Sequence, residues 1–173
     1  TPGLIDSHVH VSDAIGLPAG PPTPELASLA EAFFRQQPRS YLYFGVTQVL
    51  DVANVPAGIA AFESQPVRPD LFRCGATTVL DGYPTVFIDK PLRYELMPDY
   101  IYEPANADKH PLPAGASADE HTPEAIVDRI AASGAVCVKI FIEDGFGPAT
   151  DWPIASKETL QRVRAAATKR GLP

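Results

Sequence analysis

Strand-like and helix-like segments alternate along this chain, and alternation of that kind restricts it to folds in which helices pack outside a parallel sheet. Residues 4–9, 46–52, 72–80 and 136–142 are apolar runs that read as strands. Between the first two, a Pro/Gly-rich loop leads to Thr23, an N-cap residue followed by Pro24 at the first helical position, and the helix so opened is expected to end near Pro38. Gly45 opens the second strand, and the Ala-rich residues 56–62 read as a short helix after it. The same Thr-Pro opening recurs at Thr122, with Ile126 and Ile130 as an apolar face and Gly134 as the stop. Ser156 caps a last helix that turns Leu160 and Val163 inward and stops at Gly171, and Leu172 and Pro173 would open a fifth strand. Units of this kind close at eight strands and roughly 250 residues. A chain of 173 residues ending at the mouth of a fifth strand therefore reads as the first four βα units of a TIM-like (β/α)8 barrel, with residues 1–173 forming its N-terminal half.

Only residues 81–121 break the pattern. Forty residues exceed an ordinary connection in a compact domain, and such loops commonly carry function. Tyr83, Tyr94, Tyr100 and Tyr102 fall in this stretch, either as an aromatic lid or as an insertion packed on the barrel rim. A composition of 45% hydrophobic and 20% charged residues excludes a disordered chain. The net charge of -7 gives no electrostatic reason to bind a phosphate backbone, so nucleic acid is not expected as a partner. No apolar run reaches the ~20 residues that span a bilayer, so no membrane is expected either. Cys74 and Cys137 both lie in apolar runs, where cysteine behaves as a small hydrophobe, and free thiols in a cytoplasmic setting are the expectation. The chain begins at Thr1 without an initiator methionine, as a processed or excised piece would.

Two places carry metal chemistry. In Leu4-Ile5-Asp6-Ser7-His8-Val9-His10, a strand's period of two sends Asp6, His8 and His10 to one side. Imidazole is the commonest neutral metal ligand, and two on alternate positions of one rigid strand can share an ion. Lys139 interrupts the apolar run Val136, Cys137, Val138, Ile140, Phe141, Ile142. Burial biases such an amine towards its neutral form, which can add carbon dioxide to give a carbamate able to bridge two cations. A lysine paired with Glu143 or Asp144 is the alternative.

Three segments together, Pro2-Gly3-Leu4-Ile5-Asp6-Ser7-His8-Val9-His10, Gly45-Val46-Thr47-Gln48-Val49-Leu50-Asp51 and Val138-Lys139-Ile140-Phe141, resemble the amidohydrolase superfamily, most closely its imidazolonepropionase-like and prolidase-like members. That resemblance implies a (β/α)8 barrel in which His8 and His10 bind one divalent ion, zinc first, while carboxylated Lys139 bridges to a second. It also implies two further histidines and a general-base aspartate on later strands, so this chain holds no catalytic residue of its own. His110 and His121 lie off the strands and read as ordinary loop residues. Where relatives often carry a histidine after the third strand, this sequence has Asp81-Gly82-Tyr83-Pro84, which makes Tyr83 a candidate substrate contact. Asp6 and Asp51 could orient ligands from behind, and for Asp51 buried support of neighbouring loops is the preferred role.

The implied activity is hydrolysis of an amide or other C–N bond in a small polar substrate, by water that the metals make acidic. The implied partners are that small molecule, the remaining half of the barrel and, once complete, further copies in a homo-oligomer. Two rivals remain. TatD-like metallo-nucleases or phosphoesterases also open with Asp-x-His-x-His, although Lys139 and the acidic charge oppose them; a non-catalytic barrel fragment that binds a partner is the other.

Overall fold

Parallel strands need a crossover between them, and in this chain the crossovers are helices. The computed structural model describes residues 2–14, 16–17, 23–53, 55–90, 92–148 and 151–173. Contacts divide the chain into two units, Thr1–Arg73 and Cys74–Pro173.

In the first unit, β1 (Leu4–Val9) lies parallel to β2 (Val46–Asp51), with Leu4 opposite Val46 and Val9 opposite Asp51. The connecting helix α1 (Pro24–Tyr43) is capped by Thr23, whose hydroxyl accepts from the Leu26 N–H at 3.2 Å. It does not end at Pro38 as expected. Proline costs a helix interior about 3 kcal/mol, but the Pro38 ring is fully buried and the helix runs on to Tyr43. The Pro/Gly-rich loop before α1 falls partly on residues 15 and 18–22, outside the described residues. After β2, α2 (Pro56–Glu63) returns the chain to β3 (Asp70–Val79), which pairs in parallel from Gln48 opposite Asp70 to Asp51 opposite Arg73. That pairing starts β3 two residues ahead of the expected apolar run. Val9, Val11, Val49, Ile59 and Phe62 form the core of this unit.

The second unit is built on the later half of β3. It pairs in parallel with β5 (Cys137–Ile140), in the register Cys74–Cys137, Gly75–Val138, Ala76–Lys139 and Thr77–Ile140. Within residues 81–121, where irregular chain was expected, the structure has a short helix α3 (Leu92–Leu96) and a two-residue strand β4 (Tyr100–Ile101) paired with Thr78 and Val79. Helix α4 (Pro123–Ala132), capped by Thr122, buries Ile126, Val127 and Ile130. Gly75 is what lets α4 approach, because a Cβ there would collide with the Ile130 side chain. Helix α5 (Lys157–Lys169), capped by Ser156, buries Val163, Ala166 and Ala167 and leaves Leu160 partly covered. Leu172 and Pro173 form no strand, yet the Pro173 carbonyl accepts from the Val138 N–H at 3.1 Å, so the last residue runs beside β5.

The expectation of free thiols is overturned: Cys74 and Cys137 form a disulfide, with Cα atoms 4.4 Å apart. An apolar run reveals that each cysteine is buried but not that the two occupy facing positions of one ladder.

A single buried carboxylate organises the insertion. Asp81, two residues past β3, accepts from Lys90 Nζ at 2.7 Å, Arg93 at 2.8 Å and the Tyr94 hydroxyl at 2.8 Å, and lies 3.0 Å from His110 Nδ1. Burial alone would push its pKa up, but hydrogen bonds from Lys90, His110, Tyr94 and Arg93 more than offset this and hold the carboxyl well below the usual range. His110 is therefore an anchor, not an idle loop residue. His121 is anchored too: it is buried, stacked on the Tyr100 ring, with Nδ1 2.8 Å from the Tyr100 carbonyl. Glu103, also buried, accepts from the Ser156 N–H at 2.8 Å and ties the insertion to the start of α5.

Two predictions follow from this packing. The disulfide closes a loop with a sequence separation of 63, so Cys74→Ser with Cys137→Ser should lower unfolding free energy by about 4 kcal/mol on the chain-entropy scale, as read by denaturant titration. Asp81→Asn leaves part-buried Arg93 and His110 without their carboxylate and should cost about 2 kcal/mol. Since the folded pKa of Asp81 is depressed, its contribution is full above the unfolded carboxylate pKa and lost as pH falls through the folded one. The stability gap between parent and variant should thus be flat at neutral pH and narrow below about pH 4; a gap that widened on acidification would contradict the assignment.

Candidate functional site

The first-strand histidines sit where the ladder ends. Val9 is buried against Ile59 and Phe62 on the helix side of the sheet, so its neighbours His8 and His10 point the other way. Their ring centroids are 5.4 Å apart. Asp6 does not join them, contrary to the simple period of two. It lines a cavity of about 480 Å³ with Phe33, Gln37 and Tyr41 of α1, on the helix side like Val9. The register shift between Asp6 and Val9 is the reason, since an extra residue in a strand reverses the alternation beyond it. Asp6 still supports this segment through its backbone, accepting from the His8 N–H at 3.1 Å. The Tyr41 phenol is pushed up by burial and then by the charges of Asp6 and Asp51.

His10 is held from behind. Its Nδ1 lies 3.3 Å from the Ala53 carbonyl, a contact that requires the proton on Nδ1 and leaves the Nε2 lone pair free. Ala53 is itself fixed, because its N–H donates to Asp51 at 3.0 Å while the Val11 N–H donates to the other oxygen of that carboxylate at 2.8 Å. Fully buried Asp51 thus joins the loops after β1 and β2 and aligns the carbonyl that orients His10. The preferred sequence reading of Asp51 as buried loop support fits this geometry. Two imidazoles on one strand, one with its tautomer set, are suited to a divalent cation as part of a ligand set. Among the described residues no group of three or more His, Cys, Asp and Glu side chains is close enough to complete one.

In the second unit, Lys139 occupies the third position of β5, opposite Ala76, and is half-buried. No ion pair joins it to Glu143 or Asp144 among the described residues. Its Nζ instead lies 5.1 Å from the centroid of the Phe141 ring. Phe141 belongs to an aromatic cluster centred on Tyr83, whose ring is 5.5 Å from Phe141, 5.1 Å from Phe146, 6.1 Å from Phe87 and 6.0 Å from Trp152. Of the four tyrosines in the insertion, only Tyr83 faces this cluster. Tyr94 bonds Asp81, and buried Tyr100 stacks on His121. Sequence reading missed Phe87, Phe141, Phe146 and Trp152 as a group. The one signal available was that all four follow the C-terminal ends of two strands, the end at which barrel enzymes build their sites.

No protein-family model matches the chain, and no curated protein matches it by sequence. Solved structures do match. Ochratoxinase from A. niger is 20% identical with a TM-score of 0.58, over 98% of this chain and 41% of that one. A crystal structure described as an amidohydrolase is 25% identical with a TM-score of 0.59, over 99% and 41%. A Xaa-Pro dipeptidase, solved with methionine in its active site, is 19% identical with a TM-score of 0.54, again over 99% and 41%. The chain therefore spans well under half the length of each of these proteins. Parallel strands joined by helices, matched along nearly the whole of this sequence, make it in fold a partial counterpart of the amidohydrolase and prolidase barrels.

Proposed function

We propose that this chain contributes part of the metal site of an amidohydrolase that cleaves an amide or related C–N bond in a small molecule. The observation that carries the reading is the His8–His10 pair at the end of β1, with His10 Nδ1 against the Ala53 carbonyl and Nε2 left for a cation. His8 and His10 would hold one divalent ion, zinc by the preference of imidazole and carboxylate ligands. The chemistry such an ion supplies is Lewis acidity, which polarises a carbonyl and makes water acidic. By the family resemblance, the Lys139 amine would add to the carbon of carbon dioxide and release a proton, leaving an anionic carbamate able to hold a cation. The absence of a carboxylate partner for Lys139 among the described residues supports that role over a structural ion pair. The general base, by the same reading, is an aspartate supplied by the rest of the barrel. No helix among the described residues is long and apolar enough to cross a membrane. The Cys74–Cys137 disulfide favours an oxidising compartment over the cytoplasmic setting expected from the sequence.

Elemental analysis of the barrel-completed protein tests the metal assignment: His8→Ala with His10→Ala should lose at least one bound equivalent, and equal metal content in parent and variant would refute it. For Lys139→Ala we expect kcat to fall by more than the 10- to 100-fold typical of losing a supporting residue behind a ligand. Added short carboxylic acids should restore part of that activity; a variant as active as the parent would remove Lys139 from the site. Residues 1–173 expressed alone should hydrolyse no amide, whereas co-expression with the remainder of the barrel should produce turnover.

A further inference from the structure

We infer that the rings of Tyr83, Phe87, Phe141, Phe146 and Trp152 form the surface on which the substrate lays an aromatic or bulky aliphatic group, immediately beside Lys139. This rests on the proposed amidohydrolase reading and narrows its substrate class from small polar amides to amides with a large apolar substituent next to the scissile C–N bond.

Five rings, from the segments that follow β3 and β5, gather around Tyr83 and Trp152 in contacts of 5.1 to 6.1 Å between centroids, mostly edge-to-face. A cluster of that size would ordinarily be core. Here Phe87 is 68% exposed and Phe146 is 48% exposed, and contiguous exposed apolar patches on soluble proteins mark binding sites.

The patch is held in place from beneath. Tyr83 lies in the turn closed by Thr85 N–H to the Gly82 carbonyl at 2.9 Å, directly after the turn that holds Asp81 with its four partners. Phe141 is tied to β3 by its N–H to the Thr77 carbonyl at 3.1 Å, and Trp152 N–H donates to the Asp144 carbonyl at 3.1 Å. A preorganised surface loses little entropy when a ligand arrives.

Substrate is favoured as the occupant by Lys139. Its Nζ is 5.1 Å from the Phe141 ring, so a side group resting on the patch brings the bond next to it within reach of the residue proposed to hold a cation. All five aromatics also lie past the C-terminal ends of parallel strands, the end where barrel enzymes bind substrate.

Trp152 is the only tryptophan in the sequence and reports on this patch without any turnover. Metal-free chain should be titrated with N-acetylphenylalanine amide, N-acetylleucine amide and N-acetylglycine amide while Trp152 fluorescence is followed. The phenylalanine probe should bind about tenfold or more tighter than the glycine probe, as expected for burying a phenyl group, and Phe146→Ala should reduce that ratio to near one. Phe87→Ala, at a still more exposed position, serves should the first variant misfold. No saturable change, equal response to all three probes, or binding lost once the rest of the barrel is added would overturn the inference. Selective binding without hydrolysis by the metal-loaded, completed protein would instead refute the catalytic reading and leave the apolar site standing. Hydrolysis of glycine and phenylalanine amides at equal kcat/KM would do the reverse.

Discussion

A strand that leaves a parallel ladder carries backbone N–H groups out of their hydrogen bonds, and in both units of this chain a buried aspartate at that point restores order. Asp51, the last residue of β2, accepts from Val11 and Ala53 and so fixes the loops after β1 and β2 together. Asp81, just past β3, gathers Lys90, Arg93, Tyr94 and His110 from a stretch that has little regular structure of its own. In each case the carboxylate's desolvation penalty is offset by several donors, and a carboxylate with that many donors is stabilising only while all of them are present. The side chains proposed to act depend on these two anchors without touching them. His10 is oriented through Ala53, and Tyr83 is presented by the turn that begins at Gly82, directly after Asp81.

Much of this was legible in the sequence because it rests on local rules. Thr23, Thr122 and Ser156 cap helices since their hydroxyls reach N–H groups three residues on, and the His-x-His pair is visible because a strand alternates. What was not legible depends on register. One extra residue between Asp6 and Val9 turns Asp6 to the helix side, and no pattern of apolar residues announces it. The Cys74–Cys137 bond likewise needs the alignment of β3 with β5, which a pair of apolar runs leaves open. Pro38 failed as a stop signal because its buried ring offsets the missing hydrogen bond, a tertiary effect overriding a local preference. The donors to Asp81 lie 9 to 29 residues downstream in an irregular stretch, so spacing gave no hint that they share one carboxylate.

Lys139 sits beside the Phe141 ring of the aromatic cluster. As an ammonium, its Nζ is attracted to the negative face of the Phe141 ring, an interaction of about 0.5–1 kcal/mol at a half-exposed site. A carbamate is an anion, and the same ring face repels it. Carboxylation would therefore exchange a weak favourable contact for a weak unfavourable one, and only cations close by can make that exchange profitable, since a single carboxylate–metal bond outweighs both. The aromatic surface that would receive the substrate thus also opposes the carbamate in the absence of metal. Under the proposed role, carboxylation of Lys139 would therefore follow the arrival of a cation at that residue.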